Sequence, residues 1–372
     1  YSNIDLRKLL IPIIVEQLLS SLMGTVDTMM VSNVGSAAIS AVSLVDSINI
    51  LVIQALSALA AGGAILCSQY LGSHNEKGAN NSARQVLYVM ALLSTALSVV
   101  CLVFRYPLLR AVFGAVEADV MRNSQVYFLF TLLSFPFIGL YDAGASIMRA
   151  QNNSRTPMII SVVSNFMNIG GNAILIFGYN MGVEGAAIST LISRIFCAIV
   201  VIGFLRMEDQ VHPLKALFRS GSATQSGIPD QSGDFYAPGA ADDPVAAIRV
   251  RNYLAIRPDW AIIKKILLIG IPSGIENSMF QFGKLAIQST VSTLGTVAIA
   301  AQAMTNILEN LNGIAAIGIG IGLMTVVGQC LGAGRKDEAI YYIKKLSWLS
   351  EIVIIASCLL VFVLTRPITM LG

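Results

Sequence analysis

The chain has 372 residues, 55% of them apolar and 12% charged, with a mean hydropathy of +0.72 and a formal net charge of +3. Soluble domains carry about 25% charged residues, so this chain is too poor in charge to cover a water-facing surface of its own size. The small net charge makes no case for nucleic-acid binding. The five cysteines, Cys67, Cys101, Cys197, Cys330 and Cys358, lie in or at the ends of apolar runs without paired spacing and read as small core residues.

Nine apolar runs predict membrane-spanning helices at 9–32, 44–70, 87–107, 126–148, 157–178, 185–206, 262–291, 302–330 and 346–365. Each is long enough for a hydrocarbon core of about 30 Å, which needs about 20 helical residues. The runs are continuous and rich in Leu, Ile and Ala, without the period-two alternation of a membrane barrel. The predicted fold is therefore all-α, a polytopic helical bundle in a lipid bilayer. Basic residues of the short loops gather on one side, with Arg7, Lys8, Lys77, Arg84, Arg149, Arg155, Lys264, Lys265, Arg335, Lys336, Lys344 and Lys345 facing Arg105, Arg110, Arg122 and Arg366 across the membrane. That asymmetry places the N-terminus in the cytoplasm.

In chain order, the first span holds Pro12, Glu16 and Asp27, the fourth holds Asp142, and the fifth carries Asn165, Asn168 and Asn172 along one stripe. Asp46 and Arg194 fall nearer to span ends. Residues 207–258, with Ser220-Gly221-Ser222, Gly227, Pro229, Gly233, Pro238, Gly239 and Pro244, read as a flexible cytoplasmic linker. The seventh span holds Glu276 and Lys284, and the eighth Glu309.

An internal repeat organises these spans. Pro12 recurs as Pro272, an offset of 272 − 12 = 260. The same offset maps Glu16 onto Glu276, Gly35 onto Gly295, Gly62 onto Gly322, and Gln69, Leu71 and Gly72 onto Gln329, Leu331 and Gly332. This period is far longer than a solenoid repeat. Six spans separate the copies, so both start from the same side of the membrane, as a parallel repeat about the membrane normal. The expected units are an N-lobe at 1–206, the linker at 207–258 and a partial C-lobe at 259–372. Six spans in the first copy against three in the second imply a twelve-helix protein without its last three helices.

Ionisable groups inside spans cost about 2.5–3.5 kcal/mol each at the helix centre and mark proton or ion paths. Asp27, with apolar helix on both sides, is the leading candidate for cation binding. Glu16 and Glu276 are either a symmetric pair of cleft acids or helix-packing acids. Lys284 either neutralises a carboxylate across a cavity or snorkels to the interface. Asp142 and Glu309 complete the candidates for a substrate cleft. There is no HExxH, CxxC or phosphate-binding glycine loop, so neither an enzyme nor an ATP-driven pump is indicated.

The run from Pro12 through Glu16-Gln17 to Val26-Asp27-Thr28 resembles the MATE multidrug exporters. So do Ser68-Gln69-Tyr70-Leu71-Gly72, Asn168 to Asn172 with Gly185-Ala186-Ala187, Gly270-Ile271-Pro272-Ser273-Gly274, and Gly328-Gln329-Cys330-Leu331-Gly332. The resemblance implies two six-helix lobes around a cleft. It implies export of organic cations or other amphipathic small molecules in exchange for H⁺ or Na⁺, without a cofactor. Asp27 matches the family's cation-binding acid, and Asn168 and Thr190 match its polar partners. A second acid of some members falls at Asn172, which leaves one negative charge fewer and favours H⁺; any metal would be Na⁺ at Asp27. A monomer in the plasma (inner) membrane is expected. The competing readings are a flippase for lipid-linked oligosaccharides with the same fold and a non-transporting membrane scaffold.

Overall fold

The computed structural model describes residues 1–113, 118–206, 248, 257–292 and 296–369, and all regular structure among them is helical. In chain order the helices are α1 (Asn3–Ser32), α2 (Ser36–Gly72), α3 (Glu76–Val103), α4 (Arg105–Phe113), α5 (Ala118–Ala150), α6 (Arg155–Asn172), α7 (Val183–Arg206), α8 (Trp260–Ser292), α9 (Thr296–Gly332) and α10 (Lys336–Thr369). Most begin several residues before the apolar run that predicts them. Backbone hydrogen bonding continues a helix into its polar end, while hydropathy sees only the part that suits lipid.

Seven helices among the described residues are long and apolar enough to cross a membrane. α1 and α8, which the sequence reading counts as spans, are not among the seven, so the count of nine is not established. Both carry the ionisable residues discussed below, and charge lowers an apolar score whatever a helix does.

The starts and ends of the helices repeat the 260-residue offset. α2 and α9 match at both ends, 36 with 296 and 72 with 332, and α3 and α10 begin at 76 and 336. Pro12 lies inside α1 and Pro272 inside α8. The contacts between copies are reciprocal as well. A Cβ on Gly72 would lie 2.0 Å from the Gln329 carbonyl, and one on Gly332 would lie 1.9 Å from the Gln69 carbonyl. Gly62 meets Gly270 while Gly322 meets Leu10, and Gly274 meets Ala58 while Gly318 meets Ile14. Each pair is one contact made twice with its members exchanged, which is the signature of a two-fold axis. Ser68 touches its own mate, Gly328, and so lies on that axis. The contacts on either side of it stay level along α2 and α9, so the helices run parallel and the copies are not inverted. Only glycine lets these backbones approach so closely, the small-residue packing typical of membrane helices.

A larger core joins α2, α3, α5, α6 and α7, with Phe128, Leu132, Phe135 and Ile147 fully buried. A smaller one joins α1, α9 and α10 through Leu9, Ile13, Val326 and Leu346. Apolar side chains such as Leu92, Phe166 and Phe362 point outward, as expected where lipid is the solvent.

The expected linker at 207–258 lies almost wholly outside the described residues. Its one described interior residue, Ile248, is buried and donates its amide to Gln151 Oε1 at 2.9 Å.

Candidate functional site

α1, α6 and α7 bring the four proposed cation-site residues into one hydrogen-bonded row. Asn168 and Asn172 are one turn apart on α6, so their amides stack along one face. Asn172 Nδ2 donates to Asp27 Oδ1 at 2.7 Å and to Asn168 Oδ1 at 3.0 Å. Asn168 Nδ2 donates to Thr190 Oγ1 at 3.2 Å, and Thr190 gives its own proton to the Ala186 carbonyl at 3.0 Å. α6 and α7 pack closely enough for this because Gly171 lies against Ser189, where a Cβ would come within 2.3 Å of the hydroxyl. That hydroxyl donates to the Asn168 carbonyl at 2.8 Å. Directly after Asn172 the helix widens into a π turn, Ala173–Gly178, a distortion frequent at functional sites. Asn172 is only 1% exposed, and its Oδ1 has no hydrogen-bond partner. Asn165, the third member of the stripe, does not join the row, and its buried Nδ2 finds no protein partner.

The other N-lobe candidates form a second node. Glu16, 3% exposed, accepts from Arg149 Nη2 at 2.7 and 2.8 Å and from Tyr141 OH at 3.0 Å. Tyr141 also donates to the Pro157 carbonyl at 3.3 Å, so this node ties α1 to α5 and to the start of α6. Glu276, the repeat mate of Glu16, is exposed on α8. Asp142 lies on α5 within electrostatic reach of Arg149, Glu16 and Arg194. In the second copy Lys284 Nζ pairs with Glu309 Oε1 at 3.0 Å and lies 5.1 Å from the centre of the Phe280 ring.

Sequence reasoning names Asp46 and Arg194 near span ends but misses what they pair with. Asp46 Oδ1 accepts from Asn49 Nδ2 and from Tyr127 OH, both at 3.3 Å, and lies within electrostatic reach of Asp27. Arg194 donates to Ser134 Oγ at 2.6 Å and sits among Asp46, Asp142 and Asp27. An arginine inside an apolar helix was itself the signal that a buried acid lay opposite it.

At the end where α2 and α9 terminate, the two copies are hydrogen-bonded together. Gln329 Nε2 donates to the Ala150 carbonyl at 2.7 Å, Asn152 Nδ2 donates to Gln329 Oε1 at 3.3 Å, and Tyr1 OH bonds to both Asn152 and Gln329.

The MatE family model matches residues 12–174 and 272–372. The chain belongs to the MatE family. The two matched stretches begin 260 residues apart, on Pro12 and on Pro272. The MatE chain is 23% identical over 368 residues to a "Probable multidrug resistance protein NorM" of Thermotoga maritima, covering 98% of this chain and 71% of that one. It is 26% identical over 364 residues to a "Probable multidrug resistance protein YoeA" of Bacillus subtilis, covering 96% and 71%. A solved structure, "Crystal structure of MATE in complex with MaL6", superposes with a TM-score of 0.82 at 18% identity, over 99% of this chain and 73% of that one. This protein is thus a multi-pass membrane transporter of the multidrug-efflux family, with the fold of the MATE structures.

Proposed function

We propose that the protein is a secondary antiporter that exports organic cations or amphipathic compounds in exchange for H⁺ bound at Asp27. The observation that carries this is a carboxylate in the last two turns of α1, with apolar residues on both sides, whose hydrogen-bond partner, Asn172, is a neutral amide. An ionised acid inside a span is costly, and taking up a proton removes that cost. Asn168 and Thr190 fix the amide, so the donor is held in place before the cation arrives. A Na⁺ ion prefers several oxygen ligands and more negative charge, whereas the group facing Asp27 is an N–H donor; the arrangement therefore favours H⁺.

Glu276, Lys284 and Glu309 are the proposed contacts to substrate, with Glu16 and Asp142 serving the N-lobe. If the end zipped by Gln329 is cytoplasmic, as the basic residues predict, the described state is closed to the cytoplasm. Proton and drug need not touch: coupling requires only that they favour different arrangements of the two lobes. The expected location is the plasma (inner) membrane, as a monomer with a cytoplasmic N-terminus.

The test is efflux of a fluorescent organic cation from proteoliposomes under an imposed pH gradient or an imposed Na⁺ gradient. Export should follow the pH gradient alone. Export driven by Na⁺ alone would replace the ion, and export unaffected by either gradient would overturn the antiport reading.

A further inference from the structure

We propose that Asp142 is a second exchangeable proton site of the N-lobe; in the transport cycle it rests on the antiport reading of Asp27. Among the described residues, the lobe interior holds four carboxylates, Glu16, Asp27, Asp46 and Asp142, and two guanidinium groups, Arg149 and Arg194. Arg149 is committed to Glu16, both of whose oxygens it engages. Arg194 spends its hydrogen bond on Ser134 and is shared electrostatically by Asp46, Asp142 and Asp27. Asp46 has two donors, Asn49 and Tyr127, and Asp27 has Asn172. Asp142 Oδ2 is buried without a hydrogen-bond partner.

A carboxylate with one oxygen buried and given no donor is costly to keep ionised, because that oxygen has lost its water and gained nothing in exchange. Adding a proton removes the charge. Asp142 is therefore the group on which the excess negative charge is most readily neutralised. The groups facing it are Glu16 on α1, Arg149 on its own helix, and Arg194 and Cys197 on α7, and Arg194 is shared with Asp46, Asp27 and Tyr127.

The geometry also supplies a way to release the proton. Arg149 lies seven residues after Asp142, two turns along the same face of α5. Helical side chains lean toward the helix N-terminus, so the guanidinium leans toward Asp142. Arg149 Nε is buried without a partner, like Asp142 Oδ2. If α1 draws Glu16 away, Arg149 becomes free to pair with Asp142. The Asp142 O–H bond then breaks, the proton leaves to water in the opened cleft, and the carboxylate keeps the electron pair against Arg149. Opening at Glu16 and loss of the second proton are in this way one event.

The experiment is pH-difference infrared spectroscopy of the full chain in lipid nanodiscs, read at the carboxylic-acid C=O stretch. A component of that band should be lost in Asp142→Asn, moved in frequency in Asp142→Glu and retained in Asp27→Asn. In proteoliposomes the number of protons moved per organic cation should fall by one in Asp142→Asn. A band identical in wild type and both Asp142 variants would overturn the proposal, and if Asp142→Asn does not fold, Asp142→Glu alone decides. Loss of a component in Asp27→Asn with no change in the Asp142 variants would leave the antiport reading standing and remove only this one. The reverse pattern would keep Asp142 as a proton site and remove the role of Asp27.

Discussion

The two copies of the repeat share their backbone and differ in their charges. Pro12, Gly62, Gln69 and Gly72 return 260 residues later as the same residues, and the last three line the contact around the two-fold axis. Asp27 returns as Ile287, Asp46 as Asn306, Asn49 as Glu309 and Gly24 as Lys284. Glu16 returns as Glu276, but one is 3% exposed and paired with Arg149 while the other is exposed on α8. Symmetry is kept where two copies must pack against each other. It is dropped at Asp27, whose place in the second copy is taken by Ile287, and the described residues of that copy carry the half-exposed Lys284–Glu309 pair instead.

This contrast is sharpened first at the ion pairs. Removing one partner of a buried pair leaves an uncompensated charge and costs about 3–5 kcal/mol. Arg149→Ala should lower thermal stability by that order, while Arg149→Met with Glu16→Leu should recover most of it. Equal damage from Glu276→Ala would show that the copies do not differ as described. Next comes the axis. Gly332→Ala places a methyl against the Gln69 carbonyl and should cost about 1–3 kcal/mol as overpacking. Gly320→Ala, on the same helix with nothing within 4 Å of its Cβ, should leave the melting temperature close to wild type.

A smaller effect is expected at the start of α1, where Ser2 Oγ accepts from the Asp5 amide at 3.2 Å and Asp5 Oδ2 accepts from the Ser2 amide at 2.9 Å. Ser2→Ala should cost about 1 kcal/mol. Those Ser2 hydrogen bonds hold the Asp5 carboxyl below its ordinary value of 3.8. The folded value is depressed, so the contribution is complete above 3.8 and is lost as the pH falls from there through the folded value. The difference between Ser2→Ala and wild type should therefore shrink in acid. The smallest effect belongs to Glu309→Gln, which breaks an exposed pair worth about 0.2–1 kcal/mol. It should barely move the melting curve while altering which organic cations are exported.

Much of this was legible beforehand. Apolar runs announced the helices because lipid leaves a strong one-dimensional trace, and the offset of 260 announced the repeat because Pro and Gly cannot drift in register. Asp27 stands out as an acid inside an apolar span and Asn168 and Asn172 share a stripe, while Thr190 enters through resemblance alone; the four lie in one hydrogen-bonded row. The partners of the remaining acids were not legible. Arg149 read as a loop cation because it follows the last apolar residue of its span, yet the helix carries it under Glu16. Asp46 and Arg194 read as span-end residues because pairings between α2, α5 and α7 are set by packing, and one-dimensional spacing holds no record of them.

The central claim, that Asp27 carries the coupling proton, is tested most directly by Asp27→Asn in proteoliposomes at matched expression and orientation. The amide keeps the size of the side chain and mimics a permanently protonated carboxyl. Export of an organic cation under a pH gradient should fall to the protein-free background, while binding of that cation to the purified variant persists. Gradient-driven export at the wild-type rate would show that Asp27 only packs α1 against α6, and the proposed mechanism would be wrong.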